Sequence, residues 1–534
     1  MKIIQLLIPS LFLLSLTGFS QSKDVSSFDE KALNWQSKNV SRKMMGTDTY
    51  RAYEELLKGK TAKQTIIVAV IDAGIDVNHE DLKSNIWVNK NEIPGNGIDD
   101  DNNGYIDDIN GWNFLGNSKG ENIDRAPLEI TRMYRELNAR FENKNATEVN
   151  DNESSDFDEY QKMKSEITKK QTEADQQYLQ MSQIYTMISG MYDTLGKMEN
   201  APCGTFEEIK NISTTSKPAK KLKRKVLLYG KFGLTKQGMK EATEHFEAEK
   251  MAYYNLEFTP RNDIIGDNLN DITDYKYGNN DVTGPDAFHG TFCGGIIGAV
   301  QNNGLGIDGI ANSVSLMSLR AVPNGDEYDK DIALAIRYAV DNGAKVINMS
   351  FGKSYTANKN MVDDAFKYAE ENGVLLVHAA GNDNKNIDST NNFPTDKLAN
   401  GTKINNLVCV GASTMSPKKK LPAGFSNFGD QNVDIFAPGQ DVVSTDVDSK
   451  YQVSQGTSFA APVVTGVAAL VWSYYPDLTA VQMKEILIKS ATNKGKKKVK
   501  IPGSKKKVRF MELSVSDGVV NTYNALKLAE EMSK

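Results

Sequence analysis

Three side chains in this 534-residue sequence have the types and settings that could activate a hydroxyl nucleophile. Ser458 sits in the run Gln455-Gly456-Thr457-Ser458-Phe459-Ala460-Ala461-Pro462. A serine hydroxyl is a poor nucleophile at its free pKa and becomes useful when held on a tight turn beside a base. Gly456 is expected to let the backbone turn closely, and Ala460 and Ala461 suit a helix starting directly behind the serine. Pro462 is expected in the first turn of that helix, where a missing N–H costs little. The plainer reading is a buried helix start with an incidental serine. The base must be a histidine, and only four exist: His79, His245, His289 and His378. His289 opens the glycine-rich run His289-Gly290-Thr291-Phe292-Cys293-Gly294-Gly295, which reads as a loop entering a closely packed helix. His79 falls in a polar loop, His245 in a charged helical stretch and His378 inside an apolar strand, so a structural role is expected for each. The orienting acid is Asp72, at the end of the β-branched run Thr65 to Ile71. Such a run reads as a buried parallel strand, and sites in open α/β sheets form at the carboxyl ends of strands. A helix-capping or turn aspartate is the alternative reading.

The chain order Asp72, His289, Ser458 is one of three unrelated orders in which this triad occurs. At these residues the chain resembles the subtilisin-like serine proteases, the subtilases. VIDAGID, HGTFCGGIIGA and GTSFAAPVVTGVAAL match the family's signature segments, and Leu375 to Asn382 (LLVHAAGN) is a fourth match. The resemblance covers roughly residues 45–115 and 260–534. It implies a serine endopeptidase acting on protein or peptide substrates, with Asp72, His289 and Ser458 catalytic and the Asn382 amide in the oxyanion hole. It also implies that Ser350-Phe351-Gly352 form the edge along which an extended peptide pairs. A peptide ligase or macrocyclase on the same fold would keep all these residues. A non-catalytic peptide-binding homologue would need a broken triad, and this one is complete.

Two departures from the family pattern are visible. Phe292 stands where a second histidine is usual, which predicts altered packing. Cys293, four residues after His289, opens the reading of a thiol nucleophile, which the intact serine motif argues against. Phe393-Pro394 aligns with an aromatic–proline pair beside the family's primary specificity pocket, which puts Asn392 near the pocket floor.

The elements that must position these residues are those of an α/β fold. The expected architecture is a subtilisin-like parallel sheet with helices on both faces, plus a long helical insertion between Asp72 and His289. The two residues lie 217 positions apart, far more than a minimal subtilase needs. The expected organisation is a signal peptide over residues 1–20 and the N-terminal part of the catalytic domain over 21–114. A mostly helical, charged insertion then fills 115–260, and the remainder of the catalytic domain 261–534. Within the insertion, Tyr160, Met163, Ile167, Ala174, Tyr178, Met181, Ile184, Ile188, Met191, Leu195 and Met198 recur mostly three or four apart. That is the stripe of one amphipathic helix or two, either packed as a core or serving as a lid or partner surface.

Lys2, the apolar stretch Ile3 to Leu16, and small Gly18 and Ser20 predict a secretory signal cleaved before Gln21. Export to the periplasm or the exterior, with no transmembrane anchor, is expected. The net charge of −6 argues against a nucleic-acid partner, and three cysteines do not make a disulfide framework. No cofactor is required for the chemistry. A structural calcium is a candidate: Asp99, Asp101 and Asn103 alternate before Gly104, like the first half of an EF-type loop, although the twelfth position is Asn110. A solvated acidic turn explains the segment equally well. Asp81 with the Asn302-Asn303 loop is a second candidate site of the family type.

Overall fold

The computed structural model describes residues 24–534; the expected signal segment lies outside the described residues. The chain divides into two compact units: Ile130–Phe258, and Gln21–Glu129 together with Thr259–Lys534. The strands are β1 (Ile66–Asp72), β2 (Gly111–Asn113), β3 (Val314–Arg320), β4 (Val346–Met349), β5 (Leu375–Ala379), β6 (Leu407–Ser413), β7 (Ile435–Pro438), β8 (Val442–Asp446), β9 (Lys450–Ser454), β10 (Thr492–Asn493), β11 (Lys498–Lys500), β12 (Lys507–Arg509) and β13 (Gly518–Val519). The α-helices are α1 (Thr49–Glu55), α2 (Glu129–Phe141), α3 (Ser154–Glu199), α4 (Phe206–Asn211), α5 (Lys217–Gly230), α6 (Lys236–Ala248), α7 (Pro260–Ile264), α8 (Phe288–Gly298), α9 (Asp329–Asp341), α10 (Lys359–Glu371), α11 (Thr457–Tyr474), α12 (Ala480–Lys489) and α13 (Thr522–Met532).

Among the described residues the main sheet of the larger unit has nine strands in the order β10-β13-β7-β6-β5-β4-β1-β3-β2. Every pairing is parallel except β10 with β13. Strands buried on both faces need apolar residues almost throughout, which is why β1 reads as an apolar run up to Asp72 and β5 as one interrupted only by His378. Side chains alternate between the two faces. Ile66, Val68 and Val70 of β1 join a cluster with Phe292 of α8, Val463 of α11, Met483 of α12 and Ala525 of α13. Ala69 and Ile71 join the opposite cluster, with Ile332 of α9 and Ala365 of α10. The sheet is thus an α/β layer covered by helices on both faces, as the sequence pattern required. After β1 the chain builds β3 on one side and then β4 on the other, so the order switches at β1. Ligand sites of open α/β sheets form at such switch points.

α11 is the one helix among the described residues long and apolar enough to cross a membrane, and it is 94% buried in its unit, as a core helix is. The N-terminal segment docks on the same unit. The buried Trp35 donates its indole N–H to the Asp441 carbonyl at 2.9 Å. Thr49 and Thr522 hydroxyls meet at 2.7 Å, joining α1 to α13.

The smaller unit is helical. The stripe read from the sequence forms a single 46-residue helix, α3. Its Tyr160, Met163, Ile167, Ala174, Met181, Ile184, Ile188, Met191 and Leu195 are buried, whereas Met198 is 48% exposed. Tyr160 stacks on Tyr134 with ring centroids 5.6 Å apart, and the C-terminal half of α3 packs with Val226, Met239 and Phe246 of α5 and α6. The stripe is a core rather than a bare face. All three cysteines are buried free thiols.

Candidate active site

Asp72 ends β1 and His289 is the second residue of α8. The Asp72 carboxylate is 2% exposed and accepts from His289 Nδ1 with Oδ1 at 2.8 Å and Oδ2 at 3.0 Å. Gly290 makes the approach possible: a Cβ there would lie 2.2 Å from the Gly74 carbonyl oxygen. Burial alone would lower the His289 pKa, but the charge and hydrogen bond of Asp72 outweigh it and hold the imidazole above its usual value. A buried carboxylate on Nδ1 fixes the tautomer, leaving Nε2 as the free base.

Ser458 is the second residue of α11. Pro462 lies beyond the first turn, a difference from the sequence expectation with a clear consequence. It has no N–H to give the carbonyl four residues back, which is that of Ser458. That carbonyl instead accepts from Ser350 Oγ at 2.7 Å and from Cys293 Sγ at 3.4 Å. Two side chains from other elements therefore pin the serine, one of them a single helical turn after His289. Phe459 lies tilted against the His289 imidazole with ring centroids 5.2 Å apart and packs on Phe292 at 4.3 Å, so the aromatic residue in place of a second histidine fills space behind the base. Burial pushes the Cys293 thiol well above its usual range, so it stays protonated and donates. That leaves no thiolate for the thiol-nucleophile reading.

Asn382 follows β5, the second strand along from β1. Its Oδ1 accepts from Thr457 N at 2.8 Å and from Thr457 Oγ1 at 3.0 Å, which leaves Nδ2 to donate. Thr457 Oγ1 also accepts from Gly381 N at 3.0 Å. Asn427 holds the same loop from the other side: its Oδ1 accepts from Asp383 N and Lys385 N at 3.0 and 2.9 Å, and its Nδ2 donates to the Ala380 carbonyl at 2.8 Å. Sequence reasoning missed Thr457 and Asn427. Gly456 departs from its expected role as well. Its φ of 162° is ordinary extended backbone. A Cβ there would stand 3.6 Å from Ser458 N and 3.7 Å from Asn382 Nδ2. Those are ordinary contact distances, so the fold would accept a methyl there, beside both N–H groups. Gly456→Ala is therefore expected to keep the wild-type melting temperature and to lower kcat by less than the roughly 100-fold that loss of an oxyanion donor costs. Steady-state kinetics beside a thermal melt check this.

Ser350, Phe351 and Gly352 follow β4. Ser350 is buried, and its hydroxyl serves Ser458 and Asn348 rather than the solvent side. His378 donates Nε2–H to the Phe351 carbonyl at 2.8 Å, and burial pushes its pKa down to about 4, so it stays neutral. Gly352 is exposed, but a Cβ on it would stand only 3.0 Å from the Phe393 carbonyl oxygen and 3.3 Å from His378 Nε2, with Asn392 Oδ1 at 3.7 Å; Asn392 Oδ1 also lies 3.4 Å from the Cβ position of Gly381. Asn392 and Phe393 also line a cavity of about 500 Å³ together with His378, Asp388, Asp396 and Asp434. His79 is buried against the Lys450 carbonyl, and His245 lies exposed on α6 beside Glu249.

The acidic loop closes differently from an EF-hand. Asn110, at the twelfth position, donates its Nδ2 to the Trp87 carbonyl. Glu92, from before the loop, joins Asp99 and Asp101 instead, with carboxylate oxygens of the three within 4.8 Å of one another. An all-oxygen set of three acids fits calcium. At the second candidate site, Asp81 accepts from Asn303 Nδ2 at 2.7 Å, Ile307 N at 3.0 Å and Tyr451 OH at 3.3 Å. Those donors close the loop, and the Glu92, Asp99 and Asp101 carboxylates are held in the same way, by Asp100 N, Asp107 N, Asn103 N and Gly104 N.

The family model of the subtilase family matches residues 63–502. A thermophilic serine proteinase of Bacillus sp. (strain AK1) is 39% identical over 204 residues, 38% of this chain and 47% of that protein. Subtilisin DY of Bacillus licheniformis is 35% identical over 210 residues, 39% of this chain and 71% of that protein. Thermitase of Thermoactinomyces vulgaris is 37% identical over 186 residues, 35% of this chain and 61% of that protein. The chain thus spans about half the length of the first of these relatives. A parallel sheet covered on both faces, polar groups gathered at its carboxyl edge and a family match over most of the sequence lead to one conclusion: this chain belongs to the subtilase family.

Proposed function

We propose that this chain is an exported serine endopeptidase that hydrolyses peptide bonds with Ser458, His289 and Asp72. The observation that carries the reading is the two-oxygen grip of the buried Asp72 carboxylate on His289 Nδ1, at 2.8 and 3.0 Å, with Phe459, the residue after Ser458 at the start of α11, set against that imidazole at 5.2 Å. In this reading Ser458 Oγ attacks the scissile carbonyl, and His289 Nε2 takes the hydroxyl proton and delivers it to the leaving amine. Asp72 holds the tautomer and stabilises the imidazolium. The oxyanion accepts from Asn382 Nδ2 and from the Ser458 N–H, which the start of α11 leaves without an intrahelical partner. The substrate lies extended along Ser350 to Gly352, with its specificity side chain toward Asn392. Export rests on the signal-like sequence of residues 1–20 and on extracellular relatives such as the extracellular basic protease of Dichelobacter nodosus.

The test is digestion of a mixed peptide library, with cleavage sites read by mass spectrometry. Internal cleavage by the wild type is expected. Ligated or cyclised products without new termini would replace hydrolysis with transpeptidation. Recovery of the exported chain with Gln21 at its N-terminus tests the signal assignment, and a chain retaining residues 1–20 contradicts it.

We also propose that Glu92, Asp99 and Asp101 hold a structural calcium. Calcium at 100 times its Kd would add about 2.7 kcal/mol of stability by mass action. The melting temperature is expected to fall several degrees in chelator and recover with calcium, and the Asp99→Asn/Asp101→Asn variant is expected not to respond. Equal melting in both buffers would retire the site.

A further inference from the structure

One stretch of the smaller unit carries a local charge imbalance opposite in sign to that of the whole chain. Residues 209–240 contain ten Lys and Arg and no Asp or Glu, in a chain of net charge −6. α5 lies at the centre of this stretch. Ser216 caps it by accepting from Ala219 N at 3.2 Å, Pro218 sits in its first turn, and Ala219, Val226 and Tyr229 turn into the helical core. Helical periodicity then puts Lys217, Lys220, Lys221, Arg224, Lys225 and Lys231 outward, and all six are exposed. Lys210, Lys236 and Lys240 have acidic partners, and Lys223 is engaged by the Lys210 and Ile212 carbonyls. The six outward cations make no ion pair among the described residues. Like charges one turn apart work against the helix, so the face carries a cost that a partner would relieve. Apolar side chains stand among these cations at the end of the helix: Leu228 is 52% exposed and Phe232 is 69% exposed.

We propose that this face docks the protein on an anionic lipid surface. Lys and Arg lie over the headgroup phosphates, while Phe232 and Leu228 enter the boundary between headgroups and acyl chains. A cationic face ending in exposed apolar side chains is the pattern of interfacial helices. Each basic residue near an anionic leaflet adds attraction that salt screens. A nucleic-acid groove would want aromatic side chains interleaved with the cations for base stacking, and the outward face of α5 has none along its length. The site lies wholly in the smaller unit and does not depend on the chemistry proposed for Ser458.

The test is co-sedimentation of the full chain, carrying Ser458→Ala to prevent self-digestion, with vesicles of phosphatidylcholine with or without phosphatidylglycerol. Binding to the anionic vesicles alone, falling as salt rises, is expected. The variant Lys220→Glu/Lys221→Glu/Arg224→Glu/Lys225→Glu is expected to lower partitioning more than about 100-fold. Leu228→Ser/Phe232→Ser is expected to lower it about 10-fold while keeping the salt dependence. Both variants, in the Ser458 background, should keep the wild-type peptide-cleavage rate and melting curve. The proposal is overturned if anionic vesicles do not bind, or if binding survives the charge reversal, which would assign it to another basic tract such as Lys494 to Arg509. Binding to duplex DNA as tight as to the vesicles would overturn it in favour of a nucleic-acid partner.

Discussion

Ser458→Ala is expected to lower kcat/KM for a cleaved peptide by about a million-fold, the size of the loss when the nucleophile of subtilisin, a member of this family, is removed. The change deletes one oxygen at the second residue of α11 and touches neither the apolar helix behind it nor the Ser350 and Cys293 contacts, which are made to the backbone carbonyl. Melting temperature and circular dichroism should therefore match the wild type. Some acceleration over water should remain, because Asn382 and the Ser458 N–H are still in place to bind a developing oxyanion. Retention of a tenth or more of the wild-type rate would remove Ser458 from the mechanism.

Asp72→Asn is expected to cost about 10,000-fold in kcat while leaving the fold intact. The carboxylate accepts from His289 Nδ1 through both oxygens. An amide of the same shape would present a donor there and favour the tautomer whose Nε2 carries the proton, so the imidazole could no longer accept from Ser458. The pH profile gives an independent readout. Only neutral His289 is a base, and in the wild type its pKa is held above the usual value by Asp72 against the opposing effect of burial. Activity therefore appears as pH rises through that raised value. Without the carboxylate charge the pKa falls, and the residual activity of the variant should extend to lower pH. An unchanged acid limb would show that the limb reports another group.

Much of the architecture was legible because its signals are local. A parallel strand covered on both faces must be apolar along its length, so Ile66 to Ile71 reads as β1 and its first carboxylate falls at the sheet's carboxyl edge. The stripe in α3 shows a helix for the same reason. It does not show that the helix continues unbroken for 46 residues, because a turn between two helices and a continuous helix carry the same periodicity. The parts of the site that escaped are made by contacts distant in sequence. Asn427 grips a loop more than 40 residues away, and Ser350 reaches the Ser458 carbonyl across 108 positions. Glu92 precedes the acidic loop it completes, outside the spacing an EF-type pattern tests. The consequence of Pro462 needed the helix boundary: Ser458, four residues back, has a helical carbonyl to release only because α11 has already begun at Thr457. Gly456 was singled out for a conformational reason, whereas its backbone is ordinary extended and a methyl there would meet only ordinary contacts.

The central claim is that Ser458 is the group this site activates. A fluorophosphonate reacts covalently with an activated serine, and peptide mapping by mass spectrometry locates the adduct. The account predicts one adduct, on the peptide carrying Ser458, absent from Ser458→Ala and from unfolded protein. An adduct elsewhere, or none on folded protein that still cleaves peptides, would contradict it.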